Sequence, residues 1–170
     1  MSTFTIARQI GIDMGHRVPD HGSKCRSPHG HRYTIEAVCR GDLATAGVES
    51  GMVMDFGFLK EEMMRVIDED CDHAFCMATH DLPMLDMFGL NIGAPAKDIL
   101  DTVDLDGFWA GTNVHRYKVY VVPFTPTAEN LAQHWFERLA AAVAVRTNGR
   151  AVLDRVKVWE TPNCWSEYPS

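Results

Sequence analysis

Cys25-Arg26-Ser27-Pro28-His29-Gly30-His31 is the stretch around which this chain organises. His29 and His31 are two residues apart, so a strand entered after Pro28 sends both imidazoles out of one face. Two neutral imidazoles a pleat apart can share one metal ion. They suit Zn²⁺, and a catalytic zinc takes three protein ligands while keeping one position open. The expected third ligand is His16, which ends an alternation in which Phe4, Ile6, Ile10, Ile12, Met14 and His16 share one parity, interrupted by Arg8. Gly30 has no Cβ, so a metal, a ligand or a second backbone could approach closely there. A His-Gly-His triplet alone is a weak signal, since histidines also serve in turns and in core hydrogen bonds. His16 and Gly30 raise it above that level, and Cys25 sits four residues before His29.

Working outward, residues 3–16 read as a strand with period-two alternation, and Arg17 to Pro28, with two prolines and a glycine, as a loop. From His31 to Arg40 alternation returns, with Tyr33, Ile35, Ala37 and Cys39 on one side. An antiparallel pair of these strands brings His16 back beside His29 and His31. After a Gly/Asp/Ala turn region and the apolar piece Met52-Val53-Met54, Asp55 caps a helix expected to run to about Asp68, with Phe56, Leu59, Met63, Val66 and Ile67 on its stripe. Cys71-Asp72-His73 follows directly. A short helix is expected around Asp81 to Phe88, whereas Gly89 to Asn113 shows no clear period. Residues 117–122 read as a strand. Thr125 or Thr127 caps the firmest helix, in which Leu131, Trp135, Leu139 and Val143 recur every four residues until Asn148-Gly149 stops it. Val152 to Glu160 is the last expected strand, with Val156, Val158 and Glu160 on one face; a glutamate there also fits a simple rim carboxylate. This order predicts an α+β fold: a four-stranded antiparallel sheet with two helices on one face. So short a sheet leaves edges to protect, which points to a homo-oligomer.

The 170 residues fit a single domain with a real core. A net charge of −7 argues against broad binding to nucleic acid or acidic membranes, whose phosphates demand cationic patches. It leaves room for an anionic small substrate held by local cations. No apolar run approaches the roughly 20 residues of a membrane span. Five cysteines, without zinc-finger or redox-pair spacing, point to reduced thiols and a cytoplasmic location.

Taken together, the markers resemble the 6-pyruvoyl-tetrahydropterin synthase family, in its queuosine-pathway branch, which makes 6-carboxytetrahydropterin. Those markers are Gly15-His16-Arg17, Cys25-x-x-x-His29-Gly-His31, Gly51-Met-Val-Met-Asp55-Phe56 with Leu59-Lys60, Asp72-His73, Pro126-Thr127-Ala-Glu129-Asn130 and Val158-Trp-Glu160-Thr161. The three residues between Cys25 and His29 match that branch; the animal-type enzymes carry a longer spacer. Gly89 to Asn113 departs from the pattern as an insertion, Cys71 stands where leucine is common, and Met14-Gly15 replaces a small pair.

The resemblance implies a tunnelling fold (T-fold) that oligomerises into a barrel, with active sites at subunit interfaces. It implies a zinc-dependent lyase acting on 7,8-dihydroneopterin triphosphate, with loss of triphosphate and acetaldehyde. His16, His29 and His31 would hold the zinc, and Cys25 would be the general base. Asp72 and His73 would shuttle the proton, Glu160 would anchor the pterin, and Thr127 and Glu129 would flank it. Lys24 and Arg26 are candidates for the triphosphate by sequence proximity alone. The alternatives are a 6-pyruvoyl-tetrahydropterin synthase, which only eliminates triphosphate, and a non-catalytic pterin or zinc module with a closed site.

Overall fold

The structure, a computed structural model, describes residues 3–90 and 94–169. Its spine is the antiparallel pair β1 (Phe4–His16) and β2 (His29–Gly41), joined by a loop that contains one short 3₁₀ turn, Lys24–Arg26. Alternation does what the sequence predicts. Ile12, Met14 and His16 of β1, and Tyr33, Ile35, Ala37 and Cys39 of β2, are buried on one face. Against that face lies α1 (Phe56–Met63), capped by Asp55, whose carboxylate accepts from Gly57 N at 2.6 Å. Leu59, Met63, Val66 and Ile67 of the expected stripe are buried, but Phe56 is exposed. A π turn, Met64–Asp68, carries the helix past its expected end into α2 (Glu69–Cys71).

The sheet differs from the expectation of four antiparallel strands. Among the described residues it has seven, in the order β4 (Trp109–Thr112), β5 (Lys118–Val122), β3 (Phe75–Ala78), β1, β2, β6 (Ala151–Thr161), β7 (Cys164–Tyr168), with β3 parallel to both β1 and β5. Three strands escaped the reading: β3 and β4 (Trp109–Thr112) are four residues each, and β7 (Cys164–Tyr168) is five, too short to display a period. The helices also exceed the two expected on one face. Residues 82–106 supply α3 (Leu82–Met87), capped by Asp81, and α4 (Ala94–Asp106). They pack on the second face of β3 and β5 (Lys118–Val122), where Met77, Val119 and Val121 form a core with Met84, Leu85, Ile99 and Val103. This explains why Val119 through Val122 are all buried: the parallel part of the sheet is covered on both sides. The expected insertion 89–113 thus builds a helix and an edge strand, although residues 91–93 of it lie outside the described residues. No described helix is long and apolar enough to cross a membrane.

The main core closes with α5 (Ala128–Arg146) and β6 (Ala151–Thr161). Thr127 is the N-cap, accepting from Asn130 N, and Leu131, Trp135, Leu139 and Val143 are completely buried. Burying each of these side chains contributes on the order of 2 kcal/mol. Asn148 and Gly149, both at positive φ, end the segment as expected.

A polar chain crosses this core. Arg138 donates to Asp70 Oδ2 and to the Tyr120 hydroxyl, both at 2.9 Å, and that hydroxyl donates to His134 Nε2 at 2.6 Å. The Arg138 guanidinium also lies 3.8 Å over the Phe108 ring. Burial, reinforced by the Arg138 charge, pushes the His134 imidazole down to about 4. The unfolded chain takes up a proton near pH 6.5, so the folded state loses stability as pH falls from 6.5 toward 4. The full loss is about 3 kcal/mol for this group. Urea unfolding of wild type and His134→Gln at pH 7, 5.5 and 4.5 should show the wild type falling more steeply; parallel curves would contradict the assignment.

Candidate active site

The register of the β1–β2 ladder creates the first half of the site. His16 lies directly opposite His29, and Met14 opposite His31, so three imidazoles emerge on one face at one end of the hairpin. Their ring centroids are 4.6, 4.9 and 5.2 Å apart, and one ring nitrogen from each lies within 4.8 Å of the others. Second contacts select the tautomers. His16 Nδ1 faces the Pro126 carbonyl at 2.7 Å, and His29 Nδ1 the Ser27 carbonyl at 2.8 Å. Each Nδ1–H therefore donates outward and leaves Nε2 with a free lone pair. The Nε2 atoms of His16 and His31 are buried with no hydrogen-bond partner. A buried ring nitrogen without a partner is costly unless something else binds it.

Burial pushes His16 and His31 toward the neutral form, with the Glu160 charge opposing it in both; in His16 the Pro126 carbonyl also opposes it, and His29 adds to it in both, joined by His31 in His16. Neutral imidazole is the metal-binding form. The donor set and the orphaned nitrogens fit a Zn²⁺ ion with an open position. Among the described residues the ligand group holds imidazoles only, and the Cys25 sulfur is not part of it.

Of the three approaches expected at Gly30, the second backbone is the one the structure shows. Successive strand residues alternate, so Gly15 and Gly30, paired across the ladder, face away from the imidazoles. A Cβ on Gly15 would fall 2.7 Å from the Phe75 ring, and one on Gly30 would fall 3.2 Å from the Met14 carbonyl oxygen. The glycines admit an aromatic ring and a backbone rather than a metal.

Beside the imidazoles opens a cleft of about 250 Å³ lined by His16, Cys25, His29, Thr127, Glu129 and Glu160, with Cys164 and Trp165 at its edge. Glu160 Oε1 is 3.4 Å from His16 Nε2 and 3.8 Å from His31 Nε2. The Tyr33 hydroxyl, held protonated by burial and by that carboxylate, points at the same oxygen from 3.5 Å. The other carboxylate oxygen remains for a ligand's N–H groups. Thr127 is also occupied as the α5 cap. Cys164 and Trp165 were missed because β7 itself was missed; an aromatic next to a cysteine carries no signal of its own.

Asp72 and His73 form the other half. Asp72 Oδ2 accepts from His73 Nδ1 at 2.7 Å, and its Oδ1 accepts from Asp13 N at 2.8 Å. Burial alone would raise the Asp72 carboxyl, but those hydrogen bonds and the His73 and Lys118 charges hold it below its ordinary value. Asp72 thereby fixes the His73 tautomer and leaves Nε2 as an acceptor on a ring that is 77% exposed. His73 does not line the cleft of Cys25. It lines a second, larger one with Asp13, Gly15, Gly30 and Arg32 of β1 and β2, and with His31 of the imidazole trio at its wall. Lys24 and Arg26 line neither. Sequence reading also missed Arg17–Asp81, in which both Asp81 oxygens accept from a guanidinium. This pair ties the residue after His16 to the start of α3.

Known proteins resemble this chain over almost its whole length. A bacterial protein from Haemophilus influenzae named 6-carboxy-5,6,7,8-tetrahydropterin synthase is 29% identical over 167 residues, covering 97% of this chain and 98% of that one. One of the same name from Rickettsia conorii is 31% identical over 160 residues, 94% of this chain and 96% of its own. Among solved structures, an uncharacterised protein from Wolinella succinogenes superposes with a TM-score of 0.72 at 21% identity, covering 98% of each chain. The Caenorhabditis elegans 6-pyruvoyl tetrahydropterin synthase superposes with a TM-score of 0.61 at 25% identity, covering 99% and 96%. The family model described as 6-pyruvoyl tetrahydropterin synthase matches residues 5–170, and the chain belongs to that family.

Proposed function

We propose that this protein is a zinc-dependent 6-carboxytetrahydropterin synthase. It converts 7,8-dihydroneopterin triphosphate and one water molecule to 6-carboxytetrahydropterin, acetaldehyde and triphosphate, in cytoplasmic 7-deazapurine (queuosine) biosynthesis. The observation that carries this is the set of three imidazoles, two of them with buried partnerless nitrogens, beside a cleft that also holds a free thiol and a carboxylate. The names of the near full-length relatives support the choice of product.

His16, His29 and His31 would hold the ion, which supplies Lewis-acid polarisation of the substrate's side-chain hydroxyls. Cys25 removes the proton from the hydroxyl-bearing carbon. The free oxygen of Glu160 accepts from the pterin 2-amino group and ring N–H, a donor pair that a carboxylate matches. Thr127 and Glu129 border the same cleft. His73, its tautomer fixed by Asp72, relays the proton. Because His73 and Cys25 line different clefts, that relay needs the His73 of a neighbouring subunit, which supports a homo-oligomer with the active site at its interfaces.

A 6-pyruvoyl product remains the second reading, favoured by the likeness to the nematode enzyme. A closed structural zinc module is disfavoured, because the ligand group contains no fourth protein donor among the described residues.

Incubation with dihydroneopterin triphosphate and zinc should yield 6-carboxytetrahydropterin and acetaldehyde, identified by mass spectrometry. A pyruvoyl product without acetaldehyde would select the second reading, and an unconsumed substrate over a zinc-bound protein would select the module. Cys25→Ala should keep its zinc while kcat falls by about 10²–10⁴-fold; full activity in that metal-replete variant would remove the thiol from the mechanism. His29→Ala should lose the metal on dialysis, read by elemental analysis, and retained stoichiometric zinc would count against the ligand set.

A further inference from the structure

The cleft in front of His73 has a volume of about 840 Å³, and three cations line it: Arg32, Arg116 and Lys118. The proposed reaction gives these cations no role. On a chain with a net charge of −7, such a concentration of positive charge is local rather than a property of the whole surface.

The negative charges nearby are already committed. Asp13 accepts from Arg32 Nη1 at 2.6 Å, and both Asp72 oxygens are taken by Asp13 N and His73 Nδ1. Lys118 Nζ donates once, to the Asp72 carbonyl at 2.7 Å, and keeps two donors. Arg116 makes no ion pair among the described residues. Arg32 is held along the sheet because Gly11 leaves it room: a Cβ there would fall 3.0 Å from its guanidinium.

Arg116 is also placed with unusual care for an exposed loop residue. Its φ is +66°, a conformation that disfavours side chains by roughly 1–2 kcal/mol. Asn113, only 7% exposed, holds the loop in that shape. Its side-chain oxygen accepts from His115 N at 3.0 Å and Tyr117 N at 2.8 Å, its amide donates to the Phe88 carbonyl at 2.9 Å, and its own carbonyl accepts from Arg116 N at 2.9 Å.

We infer that Arg32, Arg116 and Lys118 form a polyphosphate subsite that holds the triphosphate tail of the substrate. This rests on the pterin-triphosphate reading above. His31 lines this cleft and also belongs to the imidazole trio, so the two sites share a wall. His73 lies in it as well, so any relay through His73 brings these cations to the reacting side chain. Guanidinium forks match phosphate oxygens in pairs, and an ammonium adds a point charge. The cleft is open to water, so its hold on an anion depends strongly on ionic strength. Lys24 and Arg26, the candidates by sequence proximity, are replaced.

The test is calorimetric titration of the full-length protein with inorganic tripolyphosphate at two salt concentrations, using wild type, Arg116→Ala, Arg116→Lys, Lys24→Ala and the metal-depleted His29→Ala. Arg116→Ala should bind about tenfold more weakly with a flatter salt dependence, Arg116→Lys should recover part of the loss, and Lys24→Ala should match wild type. His29→Ala should still bind, because the anion is held by side chains and not by the ion. Undiminished binding in Arg116→Ala, absent binding in wild type, or loss of binding in His29→Ala would each overturn the subsite. Turnover separates the two claims. Pterin product formed with a KM unchanged by Arg116→Ala sinks the subsite alone; Arg116-dependent tripolyphosphate binding without any pterin product sinks the proposed reaction alone.

Discussion

Everything in this molecule's chemistry depends on the register of one antiparallel ladder. Pairing His16 with His29 and Met14 with His31 points three imidazoles into one space at the end of the hairpin. A slip of one residue would send His29 and His31 to the other side of the sheet and expose the Tyr33-Ile35-Ala37-Cys39 row to water. The hydrophobic pattern that builds the core is therefore the same pattern that builds the ligand set. Stability and the placement of the three imidazoles cannot be varied independently here, since the alternate residues of the same two strands form the buried core.

The same strand end also separates the two halves of the chemistry. Along β1, His16 and Met14 face the helices while Asp13 and Gly15 face the opposite way. Asp13 and Gly15 are where the turn carrying Asp72 and His73 is stitched on: His73 N donates to the Asp13 carbonyl at 2.7 Å, and Gly15 N to the Ala74 carbonyl at 2.9 Å. Only one residue pair, Gly15 with Phe75, joins β1 to β3. Around that narrow joint the Cys25 thiol, Glu160, His16 and His29 line one cleft and His73 with its cations the other, with His31 also on the wall of the second. A single chain thus presents two separate clefts, and the proposed oligomer rests on that separation.

Long periodic elements were legible in the sequence, and short ones were not. β1, β2 and α5 repeat their pattern for 13, 13 and 19 residues, enough for alternation or a four-residue stripe to stand out. The four residues of β3 offer no such signal, and missing β3 meant missing the parallel joint and the second face that α3 and α4 cover. In the site, the ligand trio, Glu160 and the bond between Asp72 and His73 follow from residues that sit on or beside readable elements. Arg116 could not be found that way. The role proposed for it rests on a buried Asn113 and a left-handed backbone, neither of which has a sequence signature distinct from any polar turn. Lys24 and Arg26 line neither cleft for the converse reason: nearness along the chain to Cys25 does not place a side chain beside it.

The most direct measurement is a crystal structure of the zinc-loaded protein with anomalous data collected at the zinc edge. The account predicts one ion bound by Nε2 of His16, His29 and His31 at about 2.0–2.1 Å, with the fourth position taken by water or substrate. An ion coordinated through the Cys25 sulfur, or one bound away from the three imidazoles, would contradict it.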